Sequence, residues 1–229
     1  STYRFRIKPM SEYYNGVMGF YSAWIREEAF SRDMRFIDAW GPLNEVTARE
    51  RKLNNQFSVI PDAVLPDATG HAIIAGSVIE NLNPERAEIG EISLRFQGGD
   101  RPWASRTVGG SISQLGGNIE DLSFIWKARS LPWAMPDDAV LGAQLAKIDE
   151  RFNREMIYIN GLKVGDYELF IAGEKVGTAF SHRELAHGLK VHDLPDRPQY
   201  RRAQAVADLN ANRYRTSMRP LRDLWQRVK

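Results

Sequence analysis

No cysteine occurs anywhere in the 229 residues. Disulfides, thiolate metal sites and a cysteine nucleophile are therefore excluded together. The compartment is not fixed by this absence, since an exported protein can also lack cysteine. No run of about 18 apolar residues is present, so no segment is expected to span a membrane. Neither sign of charge dominates: 31 basic and 29 acidic residues leave a net charge of +2, too little to imply a nucleic-acid partner. The sequence also lacks a G-x-S-x-G elbow, a P-loop and a dinucleotide fingerprint. Internal repeats and low-complexity tracts are absent. The first residues, Ser1 to Lys8, alternate charged and apolar side chains and read as a strand, not a signal peptide.

What remains is ordinary for a globular chain, with 43% hydrophobic and 26% charged residues. Residues 1–83 alternate strand and helix patterns. Tyr3, Phe5 and Ile7 point one way and Arg4, Arg6 and Lys8 the other, the period of a half-buried strand that Pro9 would end. A helix is expected over about 12–32, with Val17, Tyr21, Trp24 and Ile25 on one stripe. Arg35–Trp40 reads as a second strand stopped by Gly41-Pro42, and Asn44 as the cap of a helix over 45–53. Pro66 and the turn Asp67–Gly70 introduce a helix over about 70–82. That order predicts part of a parallel sheet covered by helices.

Composition changes at Asn83-Pro84. From there to about 180 the chain is strand-rich and punctuated by glycine at 98–99 and 109–110. Strands are expected at Ile89–Phe96, Leu122–Lys127, Arg154–Ile159 and Gly165–Ile171, the last two as an antiparallel pair, with a turn at Ala172–Lys175. Leu131–Pro136 reads as extended, and a helix over Ala139–Ile148 interrupts the strands. The pattern predicts a β-sandwich over 84–180. A helical tail over 181–229 follows. It opens with the capping box Ser181-His-Arg-Glu184, continues as an arginine-rich amphipathic helix over 198–214, and resumes at Pro220 with Leu221, Leu224, Trp225 and Val228 on one stripe.

Asp62, on the residues alone, is a turn or helix-cap acid between Pro61 and Pro66. His71 reads as a structural histidine beside Gly70. His182, His187 and His192 recur at intervals of five and so share no helix face; with no carboxylate matched to them, no metal site is predicted. Trp103, Trp126 and Trp133 would form either a sugar-stacking surface or buried sandwich aromatics. The arginines at 197, 201, 202, 213, 215, 219, 222 and 227 read as a solvated face, without the aromatic interleaving of a nucleic-acid platform.

The stretch Asp62-Ala-Val-Leu65-Pro66 and Gly70-His71-Ala-Ile-Ile-Ala75 resembles the last sequence block of the SGNH (GDSL-type) ester hydrolases. In that family an Asp and a His three residues apart, followed by Pro, share one loop and activate a serine. Here Asp62 holds the Asp position, and Leu65 stands where the family has His. Tyr3–Pro9 is similar to the fourth strand of the family sheet, Tyr13-Tyr-Asn15 to the opening of the next helix, and Phe36-Ile-Asp38 to the fifth strand. Leu131-Pro-Trp133, Phe152–Glu155, Asn160-Gly-Leu162, Gly165-Asp-Tyr167 and Gly173–Gly177 resemble an accessory β-domain of some bacterial SGNH proteins. A Gly-Asp-Ser nucleophile block is missing: Gly165-Asp166-Tyr167 has Tyr in place of Ser, and Gly116-Gly-Asn118 lacks the Asp of the oxyanion block.

The resemblance implies an α/β fold: the C-terminal half of a flavodoxin-like SGNH domain over 1–83, then a β-sandwich over 84–180, then the tail. It implies deacylation of carbohydrates or lipids, catalytically incomplete in this chain, with Asp62 the remnant of the Asp–His pair. The alternative is a non-catalytic binding or scaffolding protein derived from that fold. No cofactor or metal is expected. A second polypeptide or a homo-oligomer is expected to cover the N-terminal sheet edge, and a glycan or acyl group is the expected ligand. An exported or periplasmic location is favoured by the family.

Overall fold

The computed structural model describes residues 8–62, 64–82, 88–96 and 101–228, without side chains for 8–13. The expected strand at Tyr3–Ile7 lies outside the described residues. The chain divides into two compact units, Ser1–Arg86 with Met135–Ile148, and Ala87–Ala134 with Asp149–Lys229.

In the first unit the described residues form helices and irregular segments but no strand. Helix α1 spans Lys8–Ser31, starting a few residues earlier than its apolar stripe suggested; Pro9 falls in its first turn, where a missing N–H costs nothing. The expected strand Arg35–Trp40 does not form. A strand needs a neighbouring ladder for its backbone groups, and none of the described residues provides one. Arg35 instead donates to the Leu82 carbonyl (3.5 Å), and the Asp38 carbonyl accepts from Ser77 Oγ (2.6 Å). Gly41-Pro42 is no terminator either. It lies in the first turn of α2 (Trp40–Glu50), whose start is fixed by Asp38 Oδ1 accepting from Gly41 N at 2.8 Å. Asn44, expected as a cap, sits one turn inside α2 and reaches across to α1, where Asn15 Nδ2 donates to its Oδ1 (3.1 Å).

Helix α3 (Ala68–Leu82) begins where the Pro66–Gly70 turn places it. Asp67 Oδ1 accepts from Gly70 N (2.8 Å), so Asp67 caps the helix. Gly70 is required by packing: a Cβ there would lie 2.7 Å from the Val59 carbonyl oxygen and 2.8 Å from the Pro66 ring. Leu43, Val46, Val59 and Ile73 form the buried core, with Phe57, Ile60, Ile74 and Leu145 against it. Leu145 comes from α4 (Val140–Leu145), the interrupting helix of the sequence pattern; Lys147, at φ +53°, separates it from α5 (Ile148–Phe152).

The second unit holds all the described strands. Strands β1 (Gly90–Phe96), β2 (Pro102–Val108), β3 (Gly110–Gly117), β4 (Leu122–Ala128), β5 (Glu155–Asn160), β6 (Asp166–Ile171), β7 (Glu174–Ser181) and β8 (Leu189–Lys190) form three sheets. A mixed four-stranded sheet has the order β2-β1-β5-β8, with β1 and β5 parallel; β3-β4 and β6-β7 are antiparallel hairpins. The expected partial parallel sheet is therefore absent from the described residues before position 83, and the parallel pairing lies here instead. In place of a two-sheet sandwich, the mixed sheet and two hairpins surround one core of Ile92, Leu94, Ile157, Phe180, Leu185, Leu189 and Val191. β6 does not pair with β5 as expected. The tight turn Ala172-Gly173, with both residues at positive φ, folds β7 onto β6 instead. The chain thus has an α/β fold with a mixed sheet and added helical and hairpin elements.

The capping box forms as read. Ser181 Oγ accepts from Glu184 N (3.2 Å), and Glu184 Oε2 accepts from Ser181 N (2.8 Å), opening α6 (His182–His187). The last helices, α7 (Pro198–Arg213) and α8 (Arg219–Val228), run on through a widened turn at Tyr214–Met218. There Arg219 N donates to the Tyr214 carbonyl, five residues back. Pro220 explains the widening: it has no N–H to give, and its ring would crowd the carbonyl four residues earlier in a regular helix.

Asn153, fully buried, shows how the extended segment Leu131–Pro136 is held. Its Oδ1 accepts from Trp133 N (2.6 Å), and its Nδ2 donates to the Trp133 carbonyl (2.9 Å) and to Asp149 Oδ1 (2.6 Å). Asn153→Ala strands both backbone groups of Trp133. We expect a loss of about 2–4 kcal/mol in urea unfolding; a variant within about 0.5 kcal/mol of the parent would show that this clasp is dispensable.

Candidate functional site

The loop Pro61–Asp67 stands at the start of α3, fixed below by Val59 in the core and by Asp67 at the helix cap. Asp62 is at its exposed tip. Its Oδ1 accepts from Val64 N (2.9 Å) and Leu65 N (2.8 Å), closing a turn on itself. The Leu65 and Val64 amides hold the Asp62 carboxyl below the usual aspartate range. Leu65 projects into solvent at 64% exposure. An alkyl side chain there neither accepts nor delivers a proton. His71 is exposed in the first turn of α3. The carboxylate, then, is ionised and positioned, but it orients backbone amides and no imidazole.

The other residues singled out from the sequence are dispersed and mostly occupied. Tyr167 is the second residue of β6, its hydroxyl within 2.9 Å of the Ile119 carbonyl and 2.8 Å of that of Lys163. Gly116-Gly117-Asn118 leads into the β3–β4 turn, where Asn118 Oδ1 accepts from Glu120 N (2.8 Å) and Asp121 N (3.1 Å). Trp126 packs against the core and over Gly110, whose Cβ would lie 2.5 Å from the indole. Trp133 meets Phe152 at 6.3 Å, and Trp103 is exposed on β2. The three indoles are therefore held in different ways, on two strands and one irregular segment. Among the described residues no group of three His, Asp or Glu side chains is placed to hold a metal ion.

A polar cluster that sequence reading missed lies at the start of β5. Glu155 meets Arg197 Nη1 (3.2 Å) and Gln199 Nε2 (3.1 and 3.3 Å), and the ring of His192 lies over its backbone, Nδ1 3.2 Å from Glu155 N and 3.0 Å from its carbonyl oxygen. Arg197 and His192 are both buried. Burial pushes the Glu155 carboxyl above the usual glutamate range, against the pull of Gln199, Arg197 and His192. Arg197 had been read as part of a solvated face; only its partner, distant in sequence, gives it away.

No protein-family model matches the sequence, and no curated protein matches it. Among solved structures, the chain is similar to BT4096, a gut microbial diltiazem-metabolizing enzyme. The TM-score is 0.73 at 21% sequence identity, over 85% of this chain and 45% of that one. The likeness is one of fold, and the chain spans less than half the length of the protein it matches.

Two predictions follow from these geometries. Asp62→Ala removes the acceptor of two amides, so hydrogen exchange at Val64 and Leu65 should quicken while α3 stays protected; unchanged exchange would show the turn closes without the carboxylate. Arg197→Met leaves Glu155 buried without its cation and should cost about 3–5 kcal/mol at neutral pH. Because the folded-state value of Glu155 is raised, its stabilising contribution is full below the ordinary glutamate range and lost as pH rises through the raised value. Removing Arg197 raises it further, so the deficit should widen from about pH 4 to pH 7. A deficit constant over that interval would mean Glu155 is not the titrating group.

Proposed function

We propose that this chain forms the C-terminal part of an SGNH-like hydrolase that removes acyl groups from carbohydrates or lipids, and that it is catalytically incomplete by itself. The observation that carries the reading is the Asp62–Leu65-Pro66 loop, followed by Gly70-His71, delivered at the start of α3 within this fold. The fold likeness to a longer enzyme over 45% of its length supports it. In this reading serine and oxyanion donors come from a second, different polypeptide, and Asp62 contributes the position from which a carboxylate orients an imidazole. Helix α1 offers such a partner an apolar surface: Phe20 and Trp24 are 70% and 55% exposed, with Tyr21 and Ile25 beside them.

A second reading is a non-catalytic binding protein derived from the same fold. Leu65 favours it, since loss of the base is what such a descendant would carry.

The substitution Leu65→His separates the two. In the isolated chain it should produce no esterase activity on acetyl or short acyl esters, because orientation without a nucleophile does no chemistry. In a complex supplying serine and oxyanion donors, it should raise turnover at least about tenfold, against the roughly 10²–10⁴ that general-base catalysis can give. Activity of the isolated parent chain would refute incompleteness. A complex fully active with Leu65 and indifferent to the substitution would place the base elsewhere. Failure to find any complementing chain, together with glycan or lipid binding by the parent, would favour the second reading.

A further inference from the structure

We propose that the C-terminal helix lies in the plane of an anionic phospholipid surface, through the face formed by Met218, Leu221, Leu224, Trp225 and Val228. The spacing of Met218, Leu221, Trp225 and Val228 places them along one side of the helix. None of the α8 residues is buried: Leu221, Leu224, Trp225 and Val228 are exposed at 64%, 60%, 63% and 80%. Exposure on that scale over consecutive turns leaves a continuous apolar surface in water, and the surface is bordered by cations. From Arg213 to Val228 the sequence carries five arginines, at 213, 215, 219, 222 and 227, against the single acid Asp223.

Charge decides among the occupants. A second copy of the same helix would bring five more arginines against these five, with one acid each to offset them. An uncharged apolar partner would leave them unused. An anionic lipid surface satisfies both features: leucine, valine and indole enter the boundary between headgroups and acyl chains while the guanidinium groups meet phosphates. Arginine suits that task, since its fork of donors matches phosphate oxygens. The helix is too short and too charged to cross a bilayer, in line with the absence of a candidate span among the described residues. The widened turn at Tyr214–Met218 keeps the chain helical from α7 into α8 past Pro220.

The test is co-sedimentation of the full chain with large unilamellar vesicles of phosphatidylcholine alone and of phosphatidylcholine with about one-third phosphatidylglycerol. We expect at least about tenfold stronger partition into the anionic vesicles, falling as ionic strength rises from about 0.05 to 0.5 M because the attraction is screened. The double substitution Leu221→Glu with Leu224→Glu, on exposed positions, should abolish partition while leaving thermal unfolding of the rest of the chain unchanged. The triple substitution of Arg215, Arg219 and Arg222 to Gln should weaken it about tenfold or more and flatten its salt dependence. Equal binding to both vesicle types, or binding to neither, would overturn the proposal. So would a lipid-free dimer, seen by analytical ultracentrifugation, that the Leu221→Glu and Leu224→Glu changes dissociate.

Discussion

Parallel pairing of β1 with β5 is the constraint on which the second unit depends. The two strands are far apart in sequence, in register from Gly90 opposite Glu155 to Arg95 opposite Asn160. Every other element is placed by reference to that pair. β2 adds to the free edge of β1, and β8 to the free edge of β5. Ile92, Leu94 and Ile157 supply the buried face on which both hairpins rest. Glu155, the first residue of β5, then reaches beyond the sheet to take Arg197, and so fixes the start of the long C-terminal helix. Non-local pairing of this kind costs loop-closure entropy before it returns any contact. The hairpins, closed by short turns, offset none of that cost themselves; the shared core does.

The first unit poses a different problem, chemical and not architectural. A carboxylate can orient a catalytic imidazole only if its acceptor lone pairs are available to the imidazole N–H. In the Asp62 loop one oxygen already accepts from two backbone amides, those of Val64 and Leu65. Both amides go to Oδ1, so the turn they close does not use Oδ2. This is why a single substitution at position 65 is informative. The loop geometry is kept by Asp62 and Asp67 through backbone groups, which a change of side chain at 65 does not remove.

Helices and local signals were legible in the sequence; partners were not. The stripe over 12–32, the small-residue helix after Pro66 and the capping box at Ser181–Glu184 are encoded within one or two turns of chain, and the structure contains each. The Ala172-Gly173 turn was legible for the same reason. The errors came where the outcome depends on a distant segment. Arg35–Trp40 has the composition of a strand, but strand formation belongs to a pair and no described neighbour completes it. Gly41-Pro42 looks like punctuation, yet Asp38 converts it into a helix start. β6 chose β7 over β5 because a two-residue turn brings its neighbour back at once, whereas Asn160–Gly165 leads elsewhere. Arg197 was invisible as a buried ion because its partner, Glu155, lies 42 residues away in sequence. For Asp62, spacing and residue type describe a turn, and the structure contains that turn.

The same dependence on partners links the features that look unfinished. Phe36–Asp38 has no ladder partner among the described residues; the Asp38 carbonyl accepts from Ser77 Oγ, and the Asp38 side chain accepts from Gly41 N. Helix α1 carries large aromatic side chains in water, and α8 carries leucine and tryptophan beside arginine. A soluble surface tolerates scattered apolar residues, but contiguous patches of aromatic and branched side chains are retained at the expense of solubility unless something covers them. The two patches differ in what can do so. That on α1 spans the turns holding Phe20 to Ile25, where Arg26, Glu27 and Glu28 provide mixed charge, as suits a protein surface. That on α8 is bordered almost wholly by arginine, which a protein could match only with a dense acidic patch and a phospholipid surface matches without further specialisation.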